Sequence, residues 1–352
     1  MDLSRNNLYN EILEEPLVLE RIVQNYLENS HPAMQEAVRI LRRSSIIVMT
    51  GMATSMYGCI PAQCILSAGG QTNYLFDTSE LLYYHIYMIP KDAAFILVSQ
   101  SGESAEVQHI LQEIGKKWPV IGVYNNSEST LAKQCTVGLP IYAGTQQACG
   151  SKTNTATMAV LNILAETLLG HRLSRAGEQI EKAIRGLRTL FKDWEEKVEA
   201  AVNMLEGSAN TVFIGRGPGL ASAMFSAVLF REVPKTLAEG LPAATFRHGL
   251  RENITPDHRL VAFAPAGKTS DLVIRFAEEM LTLGVPTLII TNRPLSLSES
   301  EKRFVFQTQH LEENYSSLVD ITPPQLIGLK LALRRGIEPG KLIISDYVTS
   351  VE

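Results

Sequence analysis

The sequence predicts a duplicated α/β protein: two tandem domains, each a doubly wound parallel sheet flanked by helices. Two observations carry this. Apolar runs with the length of buried strands alternate with helix-period segments, the pattern of a parallel sheet. Three landmarks also recur at nearly one offset: Gly51 and Gly215, Gly102 and Gly267, and Asn125 and Asn292 lie 164, 165 and 167 residues apart. A chain of 352 residues with 45% hydrophobic content has room and material for two cores. The organisation read from this is N-terminal helices over 1–44, a first domain with its connecting helix over 45–200, and a second domain with a C-terminal tail over 201–352.

Asn6 to Asn29 reads as an amphipathic helix broken near Pro16. His31 to Arg43 reads as a second helix, with Ala33, Ala37, Ile40 and Leu41 on one side. Ile46-Ile47-Val48-Met49 is the first buried strand, Gly51 to Ser55 its loop, and Met56 to Leu66 a helix. Thr72 to Phe76 is a short strand. Phe95-Ile96-Leu97-Val98 runs straight into Ser99-Gln100-Ser101-Gly102-Glu103-Ser104. Val107, Ile110, Leu111 and Ile114 then fall on one helical face. Pro119 to Asn125 is another strand, and Leu139-Pro140-Ile141 leads through 143–152 into an apolar helix ending near Leu169. Arg175 to Leu205 is charged and helical. After it Val212 to Gly217, Leu260 to Thr269 and Pro286 to Asn292 repeat the earlier landmarks.

Composition narrows the function classes. A net charge of −5 favours neither nucleic acid nor an anionic membrane surface. Met1 to Asn7 lacks the apolar core of a signal peptide, and no apolar run approaches a membrane span of roughly 20 residues. Cys59, Cys64, Cys135 and Cys149 form no CxxC pair, which fits reduced thiols in the cytoplasm. Cys149 lies in a polar loop where exposure is expected, and it is assigned no role. The seven histidines form no HxH or HExxH cluster, so no metal site is expected.

The Ser99–Ser104 stretch is where chemistry concentrates. A strand, a tight loop and a helix start aim free backbone N–H groups and the positive helix end at one point. Ser99, Ser101 and Ser104 add neutral donors, and Gly102 lets the backbone come close. No Lys or Arg sits in the loop, so an anion there depends on the dipole and the hydroxyls. The alternative is a capped turn with Ser104 as N-cap. In the second repeat Pro265 and Ala266 stand where the first has Gln100 and Ser101, so the first repeat is read as the anion binder.

The duplicated halves, the serine loop and the segment Arg231-Glu232-Val233 to Arg247-His248-Gly249 resemble sugar isomerase (SIS) domains. The likeness is closest to the isomerase half of glucosamine-6-phosphate synthases and runs from Asn10 to the terminal Val351-Glu352. The resemblance implies that Thr54 and Ser55 contact sugar hydroxyls and phosphate, and that Ser99, Gln100, Ser101 and Ser104 cradle the phosphate. Ser151 falls near a further sugar contact, with the spacing from Cys149 to Lys152 one residue short of the synthase pattern. Glu232 matches the base that moves a proton between C1 and C2. His248 matches the ring-opening histidine, which in the synthase reaches into a neighbouring subunit. A homodimer or dimer of dimers, a sugar phosphate as the small-molecule partner, and no cofactor follow as implications.

The departures from the synthase point away from amination. Leu229 stands where the synthase has a lysine one turn before the glutamate. Asp346-Tyr347-Val348 stands where its Schiff-base lysine lies, and Lys341 is too far upstream to match. A chain starting Met1-Asp2, without a glutaminase domain or nucleophilic cysteine, is expected not to draw ammonia from glutamine by itself. Stand-alone SIS deaminases and fructosamine-6-phosphate deglycases, which keep the Glu/His pair, resemble it better.

Glu232 itself reads as the end of an apolar helix stopped by Pro234. Burial and the negative helix end would both raise its pKa, which suits proton transfer near neutral pH. A surface glutamate, a turn histidine at His248, and solvated arginines at Arg247 and Arg251 are the plainer alternatives; Arg247 and Arg251 are also read as candidates for a phosphate or carboxylate. The expected activity is deamination of a hexosamine 6-phosphate or deglycation of a fructosamine 6-phosphate through a shared 1,2-enolamine. The competing reading is a non-catalytic sugar-phosphate sensor. Such a protein need not keep Glu232 and His248, and no basic helix-turn-helix precedes Ser44.

Overall fold

β1 (Ile47–Gly51), β2 (Asn73–Asp77), β3 (Ala94–Ser99), β4 (Val120–Tyr124) and β5 (Val137–Pro140) form a parallel sheet in the order β2-β1-β3-β4-β5. The computed structural model describes residues 3–29, 31–295, 300–344, 348 and 349. In it a second parallel sheet is built from β6 (Thr211–Gly215), β7 (Ala238–Pro242), β8 (Arg259–Phe263), β9 (Thr287–Thr291) and β10 (Arg303–Gln307). Its order, β10-β9-β8-β6-β7, is that of the first sheet read from the opposite edge. Register repeats as well. Ile47 of β1 lies opposite Asn73 and Ala94, and Thr211 of β6 lies opposite Ala238 and Arg259.

β1, β3 and β4 are buried along their whole length, and so are β6 and β9, whereas β2 and β10 are only half covered. This is why the central strands read as unbroken apolar runs. Phe95 and Leu97 pack with Val107, Ile110 and Ile114 of the Ala105–Ile114 helix in one core. Ile214, Ala262 and Ile289 pack with Val273, Phe276 and Met280 of the Ser270–Thr282 helix in the other. By contacts the chain divides into two units whose segments interleave. One comprises residues 17–146, 152–180 and 342–352 and holds the first sheet; the other comprises 1–16, 147–151 and 181–341 and holds the second.

In each sheet the chain leaves the first strand for one neighbour, then returns to pair on the other side. The carboxyl ends of β1 and β3, and of β6 and β8, therefore flank a topological switch point, where loops diverge and leave a crevice.

Several elements differ from the sequence reading. The helix expected over 56–66 is two, Thr54–Tyr57 and Ile60–Ala68, because Pro61 lies in the first turn of the second and has no N–H to continue the first. The segment at 175–205 is also two helices, Leu173–Leu190 and Trp194–Leu205. Cys149 is buried, not exposed. Its polar loop is drawn inward by Glu11, whose Oε1 accepts from the backbone N–H of Gln147 at 2.5 Å and of Ala148 at 3.2 Å. Among the described residues no helix is long and apolar enough to cross a membrane.

Candidate functional site

The serine loop leaves β3 at the switch point of the first sheet and enters the Ala105–Ile114 helix. Its shape is fixed by its own hydroxyls. Ser99 Oγ accepts from the N–H of Gly102 at 3.0 Å, and Ser101 Oγ accepts from that of Glu103 at 3.3 Å. Gly102 has φ +67°, and a Cβ there would meet Ser129 Oγ at 2.3 Å, so only glycine fits. Glu103 turns away from the loop and takes both the N–H and the hydroxyl of Thr130, at 2.7 and 2.8 Å. Ser104 occupies the N-cap position with extended backbone, yet its side chain makes no capping bond. Its hydroxyl, the Gln100 amide and the O–H of Ser101 are thus available to a ligand. One helix-start donor is taken: the N–H of Ala105 bonds the carbonyl of Thr349 at 3.0 Å.

Thr54 and Ser55 start the short helix on the other flank of the same switch point, directly after β1. Both are half-buried, and their hydroxyls have no partner among the described residues. The residue before them, Ala53, has φ 44° and ψ −120°, a conformation that suits glycine. The second repeat puts Gly217, at φ 52° and ψ −131°, in the same place. The 164-residue offset between them is that of Gly51 and Gly215.

In the second repeat a carboxylate from the Glu313–Tyr315 turn packs against the matching loop. Glu313 lies against Gly267, where a Cβ would come 2.1 Å from its carboxyl carbon, and its Oε2 accepts from the N–H of Lys268 at 3.2 Å. A carboxylate thus sits on the loop that starts the Ser270–Thr282 helix. In the first repeat the loop's own carboxylate, Glu103, is committed to Thr130.

Glu232 is the last residue of the Pro218–Glu232 helix. Burial raises its pKa above the ordinary glutamate range, and the Lys235 ammonium opposes the rise. Its carboxylate has no hydrogen-bond partner among the described residues. Lys235 has φ 54° and donates to the carbonyls of Glu232 at 2.6 Å and Lys341 at 2.8 Å. Cys149 is close enough for Glu232, Glu11 and Lys235 to act on its thiol, which burial pushes up. Ser151 is fully buried and its hydroxyl reaches Glu11 Oε2 at 3.5 Å. Leu229, in place of a lysine one turn earlier, is a core residue. Tyr347 lies outside the described residues.

His248 is not beside Glu232. The 15-residue helix ending in Glu232 runs back from the carboxyl end of β6 to the edge where β7 begins. His248 follows the carboxyl end of β7, so the two lie at opposite ends of the sheet, on the order of a strand's 17 Å apart. Its turn is sharply bent, with His248 at φ −92°, ψ 68° and Gly249 at φ 97°, and the imidazole is exposed. Three features were not found from sequence: Ala53, Lys235 and the carboxylate of Glu313. The first could have been found by aligning the repeats, which sets Ala53 against Gly217.

Comparison with known proteins agrees with this architecture. A model of the SIS domain matches residues 40–167 and 204–335. The glutamine–fructose-6-phosphate aminotransferase (isomerizing) of Halalkalibacterium halodurans is 27% identical over 340 residues, covering 94% of this chain and 56% of that protein. The chain therefore spans a little over half the length of this relative. The C-terminal domain of glucosamine-fructose-6-phosphate aminotransferase from Francisella tularensis superposes with a TM-score of 0.85 at 18% identity, covering 96% of this chain and 98% of that one. Glucosamine-6-phosphate deaminase from Thermotoga maritima superposes with a TM-score of 0.75 at 17% identity, covering 98% and 100%. At such identities the structures speak for the fold.

Proposed function

The chain belongs to the SIS domain family, and from that premise we propose that it is an enzyme acting on an amino sugar phosphate, either a hexosamine 6-phosphate or a fructosamine 6-phosphate. The observation that carries this reading is the serine loop: an unengaged Ser104 hydroxyl, with the O–H groups of Ser99 and Ser101 still able to donate, at a helix start and a switch point and with no Lys or Arg among them. In the proposal Ser99, Gln100, Ser101 and Ser104 hold the 6-phosphate, with Thr54 and Ser55 contributing hydroxyls. Ser151 bears on the sugar only through its bond to Glu11, since its side chain is enclosed.

Glu232 is assigned the proton transfer between C1 and C2. A half-buried carboxylate with a raised pKa and no hydrogen-bonding partner is a stronger base than a solvated one, and it is free to meet a C–H. From a 2-amino aldose phosphate the proton moves from C2 to C1, and water hydrolyses the C2 imine to a ketose phosphate and ammonia. From a 1-amino ketose phosphate it moves from C1 to C2, and the C1 imine yields an aldose phosphate and an amine. Leu229 supports hydrolysis by water, since it offers no amine to capture a carbonyl. His248 is assigned ring opening in the site of a neighbouring copy, which its place at the far end of the sheet from Glu232 favours.

A screen of hexosamine 6-phosphates and fructosamine 6-phosphates, reading ammonia, amine and hexose phosphate, tests the proposal. Release from at least one is expected. Ser104→Ala removes a hydroxyl that supports nothing in the loop, so it should fold normally and bind the active compound about tenfold more weakly, the usual worth of a hydrogen bond to a charged group. Unchanged affinity contradicts the phosphate assignment.

A further inference from the structure

Each repeat has a cavity between the bent turn after its second strand and the helix after its third. In the first repeat it is about 800 Å³ and is lined by Leu82, Tyr83, Tyr87, His109, Glu113 and Trp118, among others. In the second it is about 480 Å³ and is lined by Arg216, Arg247, His248, Arg275, Phe276 and Glu279, among others. The repeat offsets of 164 to 166 residues in these elements pair Arg216 with Met52, Arg247 with Leu82, His248 with Tyr83, Arg275 with His109 and Glu279 with Glu113. One groove of the fold thus carries three guanidinium groups in one copy and none in the other.

Of the three, only Arg247 is paired within the cavity among the described residues. Glu279 is shared by Arg247 at 2.6 Å and Arg251 at 3.3 Å. Arg247 is further held over the ring of Phe276, 5.1 Å from its centre, and that ring packs edge-on against Phe246. Asp271, one turn before Arg275 on the same helix, is paired with Arg293. Arg216 and Arg275 therefore face the cavity with no ion-pair partner among the described residues. Arg216 directly follows the carboxyl end of β6, the end of a parallel sheet where ligands bind. The planar fork of an arginine matches the oxygens of a phosphate or a carboxylate.

We propose that this cavity is a binding site for a small molecule carrying phosphate or carboxylate groups, with Arg216 and Arg275 as its ligands and Arg247 as a fixed wall. Its volume suits a metabolite. The arginines and the serine loop belong to different compact units, and the proposal stands whether or not Glu232 moves a proton.

Calorimetric titration of the full chain with inorganic phosphate and with tricarballylate tests this. Wild type, Arg216→Gln, Arg275→Gln and Ser101→Ala/Ser104→Ala are compared, with thermal unfolding to confirm that each folds. Arg216 and Arg275 hold no other side chain by a hydrogen bond or ion pair among the described residues, so their variants should melt as wild type does; Arg275→Lys, which keeps the charge, guards against an unexpected loss of structure. The arginine variants should lose about tenfold or more in affinity for at least one probe, while the serine variant retains that binding. Loss for phosphate alone assigns a phosphoryl ligand, and loss that includes tricarballylate assigns a carboxylate. Wild-type affinity for both probes in the arginine variants, disappearance of all binding in the serine variant, or no binding of either probe by wild type overturns the proposal.

Discussion

At the scale of single residues, the balance around Glu232 decides what its carboxylate can do. Burial raises its pKa and Lys235 pulls it down. As the base, Glu232 must be ionised, so the rate should fall as pH drops through the raised pKa. Lys235→Met removes the opposing charge and should raise that pKa further, moving the acid limb of the pH–rate profile to higher pH. The same change frees the carbonyls of Glu232 and Lys341, so the position of the limb is the readout to use, not the maximal rate. An acid limb unmoved by Lys235→Met would mean that another group titrates. The rise through burial was legible in an apolar helix stopped by Pro234; the opposing charge of Lys235 was not. Lys235 lies three residues beyond Glu232, past Pro234, and only its positive φ turns the ammonium back to the helix end.

At the scale of elements, the loops after β1 and β6 have one backbone shape and two residue choices. Gly217 adopts it freely, whereas Ala53 adopts it at a cost of about 1–3 kcal/mol. A Cβ on Gly217 would meet no atom within 4 Å, so Gly217→Ala isolates the backbone term. It should lower stability by about 1–3 kcal/mol in urea unfolding. Ala53→Gly should raise stability, less the roughly 0.4–1 kcal/mol that a more flexible unfolded chain takes back. Equal stability in both variants would remove the strain from the account. The strands and their repeat were legible because buried parallel strands are written as apolar runs such as Phe95-Ile96-Leu97-Val98. Helix breaks were less so: the apolar spacing from Met56 to Leu66 runs on through Pro61 and hides the stop between the two helices. The three arginines of the second cavity come from loops and a helix far apart in the chain, and no local pattern links Arg216 to Arg275.

At the scale of the whole molecule, one sheet order used twice has diverged in what its loops offer. The first repeat's loop leaves hydroxyls open, while the second's is closed by Glu313. The serine loop was legible because three hydroxyls and a glycine fall within six residues. The separation of Glu232 from His248 was not, because sixteen residues of sequence do not reveal a helix end, a strand and a bend between them. That separation makes a prediction about assembly. An inactive Glu232→Gln chain mixed with an inactive His248→Ala chain should regain part of the wild-type activity as subunits exchange. A fully active monomer in sedimentation would contradict it.

The central claim is that Glu232 carries a proton between C1 and C2 of a phosphorylated amino sugar. Turnover of the active compound in deuterated water, followed by analysis of the hexose phosphate product, tests it most directly. Wild type should place deuterium at C1 of a ketose product or C2 of an aldose product, and the labelled carbon separates deamination from deglycation. Glu232→Gln keeps the shape without the base and should turn over about two to four orders of magnitude more slowly while binding substrate as before. A Glu232→Gln protein with wild-type turnover would contradict the claim.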